Sequence, residues 1–306
     1  MSDNLPRVAV LLAAYNGMCW IEEQLSSILA QTKVSVSVFI SIDPSTDGTE
    51  AWCAEYAVRY PNVFVLPPSG PFGGAAPNFF RLIRDVDFSA FDYLSFSDQD
   101  DIWYPDKLER AVAQLSSGRF DGYSSNVVAF WPNGRRMLVD KAQPQVEWDH
   151  LFEAAGPGCT YVLSRQLADA LKGLITVRWS AVQNVTLHDW LCYAYARGAG
   201  FKWFIDPVPG MDYRQHTKNQ VGVNDGVTSA LSRVKQVIQG WWFSQVKLIC
   251  ELTTDKDSQD VVPKSLQRSG RFSLVSLMVR AGDCRRRRRD QFAFVALCIL
   301  TALRRG

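Results

Sequence analysis

Apolar residues run unbroken from Val8 to Ala14, the pattern of a strand buried on both faces of a parallel sheet. After a Tyr15-Asn16-Gly17 turn, the spacing of Ile21, Leu25, Ile28 and Leu29 predicts a helix over residues 20–32. Residues 34–42 are β-rich and predict a second strand. Pro44-Ser45-Thr46-Asp47-Gly48-Thr49 is turn chemistry, with an N-cap leading into a helix over 51–60. Residues 62–66 read as a third strand, 70–77 as a Gly/Pro-rich loop and 78–85 as a helix. Tyr93-Leu94-Ser95-Phe96 reads as a fourth, buried strand, and Pro105-Asp106 with the period Leu108, Val112, Leu115 starts the next helix. This alternation indicates an α/β protein with a Rossmann-like, doubly wound, mainly parallel sheet.

The second half is less regular. Residues 122–130 predict one strand, 156–163 a turn and a strand, and His188-Asp189-Trp190 opens a helix to Ala196. Residues 201–205 predict a short strand and 211–216 a loop with strand character. From about Val227 the pattern is helical, with a polar linker over 255–263. The expected division is a domain over 1–226, in halves 1–120 and 121–226, followed by a helical region over 227–306.

Charge adds an asymmetry to this outline. The net charge of +2 hides eleven Lys or Arg against two Asp from Pro263 onward, so the remainder is acidic. Arg285 to Arg289 lie between the apolar stretches 272–279 and 292–303, both too short to span a bilayer. A basic cluster beside short apolar runs predicts docking on an anionic membrane surface rather than nucleic-acid binding. The seven cysteines are scattered, with no C-x-x-C, and the opening Met-Ser-Asp-Asn does not fit a secretory signal. Reduced thiols and a cytoplasmic protein, peripheral on the inner face of the cytoplasmic membrane, are the expectation.

The candidate chemistry falls where strands end. Asp98, Asp100 and Asp101 follow the fourth strand, at the edge where open α/β sheets bind ligands. Crowded carboxylates repel unless a cation sits among them, and oxygen ligands suit Mg²⁺ or Mn²⁺. Asp100 is the expected direct ligand, with Asp98 on a ribose or a metal-bound water; Asp101 has the alternative of preparing the next helix. Asp43 is placed to accept a proton from a pyrimidine base on which Tyr15 stacks, or simply to start a turn. Asp189, at a helix start, is held ionised by the helix dipole and suits a general base. His216 is a candidate for the metal shell and Arg214 for a phosphate.

Taken together, Ala14 to Gly17, Gln24 to Thr32, Asp43 to Thr49, Asn78-Phe79, Ser97 to Trp103, Gly156 to Thr160, His188 to Trp190 and Tyr213 to Gly222 resemble, in order, the motifs of glycosyltransferase family 2. The Ser97-Asp98-Gln99-Asp100-Asp101-Ile102-Trp103 run, with the later His-Asp-Trp and Tyr-Arg-Gln-His segments, resembles a subgroup of bacterial rhamnosyltransferases that build cell-surface polysaccharide and lipopolysaccharide. The resemblance implies a GT-A fold over 1–226 and an inverting transfer, with dTDP-L-rhamnose favoured as donor, a UDP-sugar as the other choice, and a lipid-linked saccharide acceptor. It implies a nucleotide-sugar site from Ala14, Tyr15, Asn16, Asp43, Asn78, Asp98, Gln99 and Arg214, and metal contacts from Asp100 and His216. It makes Asp189 the catalytic base and puts Trp103, Cys159, Thr160, His188 and Trp190 on the acceptor. One departure is visible: the family's Asp-Asp-Gly-Ser-Thr-Asp is here Asp43-Pro44-Ser45-Thr46-Asp47. Two rivals stay open at this point, a sugar-nucleotide pyrophosphorylase and an inactive membrane-docked binding module.

Overall fold

The computed structural model describes residues 5–216, 240–254, 261–267 and 271–304. They fall into two compact units. The first contains residues 1–142, 156–189 and 201–222; the second contains 143–155, 190–200 and 223–306. The C-terminal region is thus joined by two segments from the middle of the chain, so the units are not separated by a single cut.

The first unit holds two sheets. Seven strands form the larger: β1 (Arg7–Ala14), β2 (Ser35–Ile42), β3 (Val63–Val65), β4 (Tyr93–Ser97), β6 (Gly122–Ser125), β9 (Val162–Ser164) and β10 (Trp203–Asp206). Their order across the sheet is β10-β6-β9-β4-β1-β2-β3. All pairings are parallel except those of β9, which runs antiparallel to both β4 and β6. The smaller sheet comprises β5 (Ile102–Trp103), β7 (Val127–Phe130), β8 (Arg136–Val139) and β11 (Met211–Arg214), in the order β5-β11-β7-β8. β1 is buried at every residue but the first, as its apolar run requires. The chain passes from β1 to β2 and β3 on one side, then returns to place β4 on the other. That reversal makes the carboxyl ends of β1 and β4 a topological switch point. Register aligns Leu12 with Ser97 and Ala14 with Ile42, so the loops after β1, β2 and β4 emerge together.

The helices follow their apolar periods. α1 (Ile21–Leu29) buries Ile21, Leu25 and Ile28; α2 (Thr49–Arg59) buries Cys53 and Tyr56. Gly48 is the N-cap of α2, and Asp47 before it steadies the first turn, its Oδ1 accepting from the Thr49 amide at 3.1 Å and the Thr49 hydroxyl at 2.5 Å. α3 (Ala75–Asp85) begins three residues before the expected start, since Pro77 in a first turn forfeits no helical hydrogen bond. α4 (Lys107–Leu115) buries Leu108, Ala111, Val112 and Leu115. α5 (Arg165–Val177) was not anticipated, although Ser164 caps it and Leu167, Ala168, Leu171 and Ile175 are spaced for it. A short α6 (Trp179–Val182) and then α7 (His188–Gly198) complete the series to residue 198.

The strand expected over 122–130 is two strands in two sheets. Asn126 is the junction: its amide donates to Asp140 Oδ1 at 3.1 Å and to the Pro207 carbonyl at 2.9 Å, and its Oδ1 accepts from the Lys141 amide at 2.6 Å. A buried amide with these partners carries the chain from one sheet to the other without stranding polar groups.

In the second unit, helices Trp241–Thr253, Val261–Gln267, Arg271–Val279, Ala281–Cys284 and Arg288–Arg304 accompany the segments 143–155 and 190–200. The basic run is not uniformly a surface feature. Arg286 is buried and pairs with Asp149 and Glu153, both at 3.5 Å, and its Nη2 donates to the Ala154 carbonyl at 2.6 Å. Arg285 Nη1 donates to the Phe152 carbonyl at 2.8 Å. Asp149 also accepts from the Tyr193 hydroxyl at 2.9 Å and from Arg197 at 3.2 Å. Only Arg288 and Arg289 of the run are fully at the surface. Among the described residues no helix is long and apolar enough to cross a membrane, and all seven cysteines are free thiols.

Candidate active site

The loops at the switch point are tied to one another through side chains. Gln99 clamps the end of β1: its Oε1 accepts from the Tyr15 amide and its Nε2 donates to the Tyr15 carbonyl, both at 2.8 Å. Gly17 permits this, because a Cβ there would lie 2.4 Å from Gln99 Oε1. Asn16 accepts from the Thr46 amide at 2.8 Å, and Met18 donates to Asp47 at 3.1 Å, which joins the loops after β1 and β2. Asn16 and Gln99 therefore act on the backbone of neighbouring loops. Tyr15 keeps an exposed ring beside them. The Asp43 carboxylate accepts from the Phe72 amide at 2.9 Å and the Gly73 amide at 3.2 Å, so it holds the loop before α3. The sequence assigned Asp43 to a base; the structure gives both its oxygens backbone partners. Asn78 is buried with its amide on the Ser41 carbonyl at 3.0 Å, and Ala14 is buried in the core.

The acidic loop after β4 is where charge concentrates. Asp100 Oδ2 lies 2.7 Å from His216 Nε2, and the His216 ring stacks on Trp20 with centroids 4.0 Å apart. Arg214 braces the same loop: Nε donates to the Asp100 carbonyl at 2.8 Å, and the guanidinium pairs with Glu23 and lies 4.6 Å over Phe130. In this arrangement Arg214 faces a carboxylate where the sequence predicted a phosphate. Asp101 is fully buried, its amide donating to Gln24 Oε1 at 2.8 Å and its Oδ1 accepting from the Arg214 amide at 3.1 Å. Ligating atoms of Asp98, Asp101 and Cys159 lie within 4.8 Å of one another. Burial, then the charges of Asp100 and Asp189, push the Asp98 carboxyl up to about 7, against a hydrogen bond from the Cys159 thiol. Three carboxylates thus sense one another, and a divalent cation relieves their repulsion. Asp100 and His216 offer one carboxylate and one imidazole, donors that suit a divalent ion.

Asp189 joins this cluster through the turn before β9. A Cβ at Gly158 would lie 3.0 Å from Asp189 Cβ and 2.5 Å from His188 Nε2. Cys159, the next residue, is the partner of Asp98, so Gly158-Cys159 links the two carboxylates. His188 is buried and stacks on Phe79 with centroids 3.9 Å apart. Burial pushes its imidazole down to about 3, which keeps it neutral. Gly158→Ala is expected to press on the His188–Phe79 stack and displace Asp189. A shift of about 1 Å costs on the order of 10²-fold in rate. Steady-state kinetics should show kcat falling while donor KM stays within about twofold; a wild-type kcat would mean the contact does not position Asp189.

The residues expected on the acceptor are interior. Trp103, Cys159 and Thr160 are buried in the first unit, with the Thr160 hydroxyl on the Pro157 carbonyl at 2.7 Å. His188 is held by Phe79, and Trp190, in the second unit, donates from Nε1 to the His150 carbonyl at 3.0 Å. Aromatic and small residues beside a motif satisfy the core first, and in this structure these five are buried. Lys107 was missed. Its side chain is fully buried, with Nζ 3.4 Å over the Trp103 ring, and burial pushes it down to about 7 against the charges of Cys159 and Asp101. Its place one residue before the apolar period of α4 was the available signal.

A mainly parallel α/β sheet with an acidic loop at its switch point defines the GT-A class of glycosyltransferase. The chain belongs to glycosyltransferase family 2: residues 9–160 match the family described as Glycosyl transferase family 2. The chain is 43% identical over 290 residues, 94% of its length and 99% of the relative's, to the dTDP-rhamnosyl transferase RfbG of Shigella flexneri. The putative glycosyltransferase EpsE of Bacillus subtilis is 27% identical over 176 residues, 56% of this chain and 62% of that protein. Among solved structures, S. aureus TarS 1–349 in complex with UDP-GlcNAc aligns with a TM-score of 0.59 at 13% identity, covering 97% of this chain and 81% of TarS. The mannosyltransferase PcManGT of Pyrobaculum calidifontis, in complex with GDP-Man and Mn²⁺, aligns with a TM-score of 0.57 at 16% identity, covering 99% and 87%. The enzyme is a glycosyltransferase, and neither the pyrophosphorylase nor the inactive binding module is favoured.

Proposed function

We propose that this enzyme transfers L-rhamnose from dTDP-L-rhamnose, with inversion, to a hydroxyl of a lipid-linked saccharide at the inner face of the cytoplasmic membrane. The observation that carries the reading is that the charges of Asp100 and Asp189 both act on Asp98, with Asp189 beside Gly158, Asp98 beside Cys159 and His216 2.7 Å from Asp100. The 43% identity to a dTDP-rhamnosyl transferase supports the choice of donor. Asp189 takes the proton of the acceptor hydroxyl as its oxygen attacks the anomeric carbon. The bond from that carbon to the diphosphate breaks, and the nucleoside diphosphate departs with the electron pair. Asp100 and His216 would hold Mg²⁺ or Mn²⁺, which supplies charge neutralisation for the diphosphate. Tyr15 offers its ring to the base, and Asp43 shapes the loop that borders it. The first unit carries this chemistry.

The test is thermal unfolding with a panel of nucleotide sugars, with and without Mn²⁺. dTDP-L-rhamnose with Mn²⁺ at about 100 times Kd should stabilise by roughly 2.7 kcal/mol, and Asp100→Ala should abolish the metal-dependent part. A UDP-sugar stabilising more strongly than dTDP-L-rhamnose would overturn the donor assignment. Equal stabilisation with and without metal would overturn the metal site.

A further inference from the structure

The helix Arg288–Arg304 is apolar on two opposite faces, and among the described residues only one of them is buried. Its inner face buries Phe294 and Cys298, with Phe294 edge-on to Phe152 at 5.0 Å. Its outer face bears Phe292, 76% exposed, Ile299, 46%, and Leu300, 50%, with Ala296 exposed between them. Positions 292, 296, 299 and 300 fall on one stripe at helical spacing. A helix apolar all round is ordinarily buried all round. The neighbouring helix Arg271–Val279 adds Val275, 50% exposed, and Val279, 82%, four residues apart.

Charge identifies the occupant. Arg288 and Arg289 are exposed, and they sit four and three residues before Phe292, hence on the stripe's own face. Arg304 and Arg305 follow the stripe in sequence. Asp290 lies two residues before Phe292, off that face, and pairs with Arg289 at 3.3 Å. A second copy laid on the stripe in parallel would bring Arg288 and Arg289 against their own counterparts. An anionic bilayer meets both features at once, arginines at the headgroups and apolar side chains at the acyl boundary. We propose that the Phe292–Leu300 face, led by Arg288 and Arg289, docks the enzyme in the plane of an anionic lipid surface. The inference deepens the function proposed above by naming the surface that meets the membrane, and it stands on the second unit alone.

The test is flotation of the full chain with vesicles of phosphatidylcholine alone or mixed with phosphatidylglycerol. The wild type should float with the anionic vesicles and far less with the neutral ones. Arg288→Gln with Arg289→Gln should weaken partition about thirtyfold, and Phe292→Ser with Ile299→Ser should abolish it. Transfer to a soluble acceptor and the unfolding temperature, measured on the same variants, should stay at wild-type values; they report the active site and the fold separately from docking. Equal flotation of wild type and variants would overturn the proposal. So would a solution dimer, seen by light scattering, that the Phe292→Ser/Ile299→Ser variant dissociates.

Discussion

Asp189→Asn should bind the donor as the wild type does and lose transfer by about 10²- to 10⁴-fold. Asparagine keeps the size and the place at the second position of α7, where the Gly158 turn meets it. It cannot take a proton. In the proposed reaction the native carboxylate accepts that proton. Its charge also bears on Asp98, so removing it should ease binding of the anionic donor and slightly weaken that of the cation. Rapid-quench release of nucleoside diphosphate, with and without acceptor, separates binding from chemistry. Transfer at the wild-type rate would show that another group takes the proton.

Arg286→Met should destabilise the second unit by up to about 3–5 kcal/mol, because it takes from buried carboxylates the most deeply buried of their cations. Asp149 is fully buried and keeps Tyr193 and Arg197, but Arg197 is partly exposed, so solvent screens its charge more than that of the buried Arg286. The sign of the pH dependence follows from the same contacts. Burial already raises the Asp149 carboxyl above its ordinary value, with Arg286 the first of the groups that oppose this. Without Arg286 it rises further, so the variant loses most once the carboxyl must ionise. The deficit should therefore be larger at neutral than at mildly acidic pH, as urea denaturation at the two conditions would show. A variant equally stable at both, and equal to wild type, would mean that Arg286 contributes no net pairing.

The two results would separate what local sequence reveals from what it hides. Asp189 was legible because a carboxylate ahead of an apolar helical period is a local signal, and the resemblance gave it a role. Arg286 was not: inside five consecutive arginines nothing distinguishes the one that turns inward. Its partners Asp149 and Glu153 lie more than 130 residues earlier. Gln99 and Asn16 were assigned to a nucleotide because they sit in motifs. Their amides instead join loops whose proximity follows from the pairing of β1 with β2 and β4. Asp43 kept its place at the end of β2, yet the loop that occupies its carboxylate comes from residues 72 and 73. α5 was legible and overlooked, since both its cap and its apolar spacing are present.

By itself the chain's order of residues settled the alternation of strand and helix, the parallel sheet and the position of the acidic loop. Those depend on periodicity, turn residues and caps within a few positions of one another. Folding in three dimensions decided which carboxylates share a site and which polar side chains are committed to neighbouring loops. It also decided which arginines are buried and which apolar face of the last helix is left open. These outcomes depend on contacts between segments far apart in sequence, and burial and pairing exist only once those segments meet.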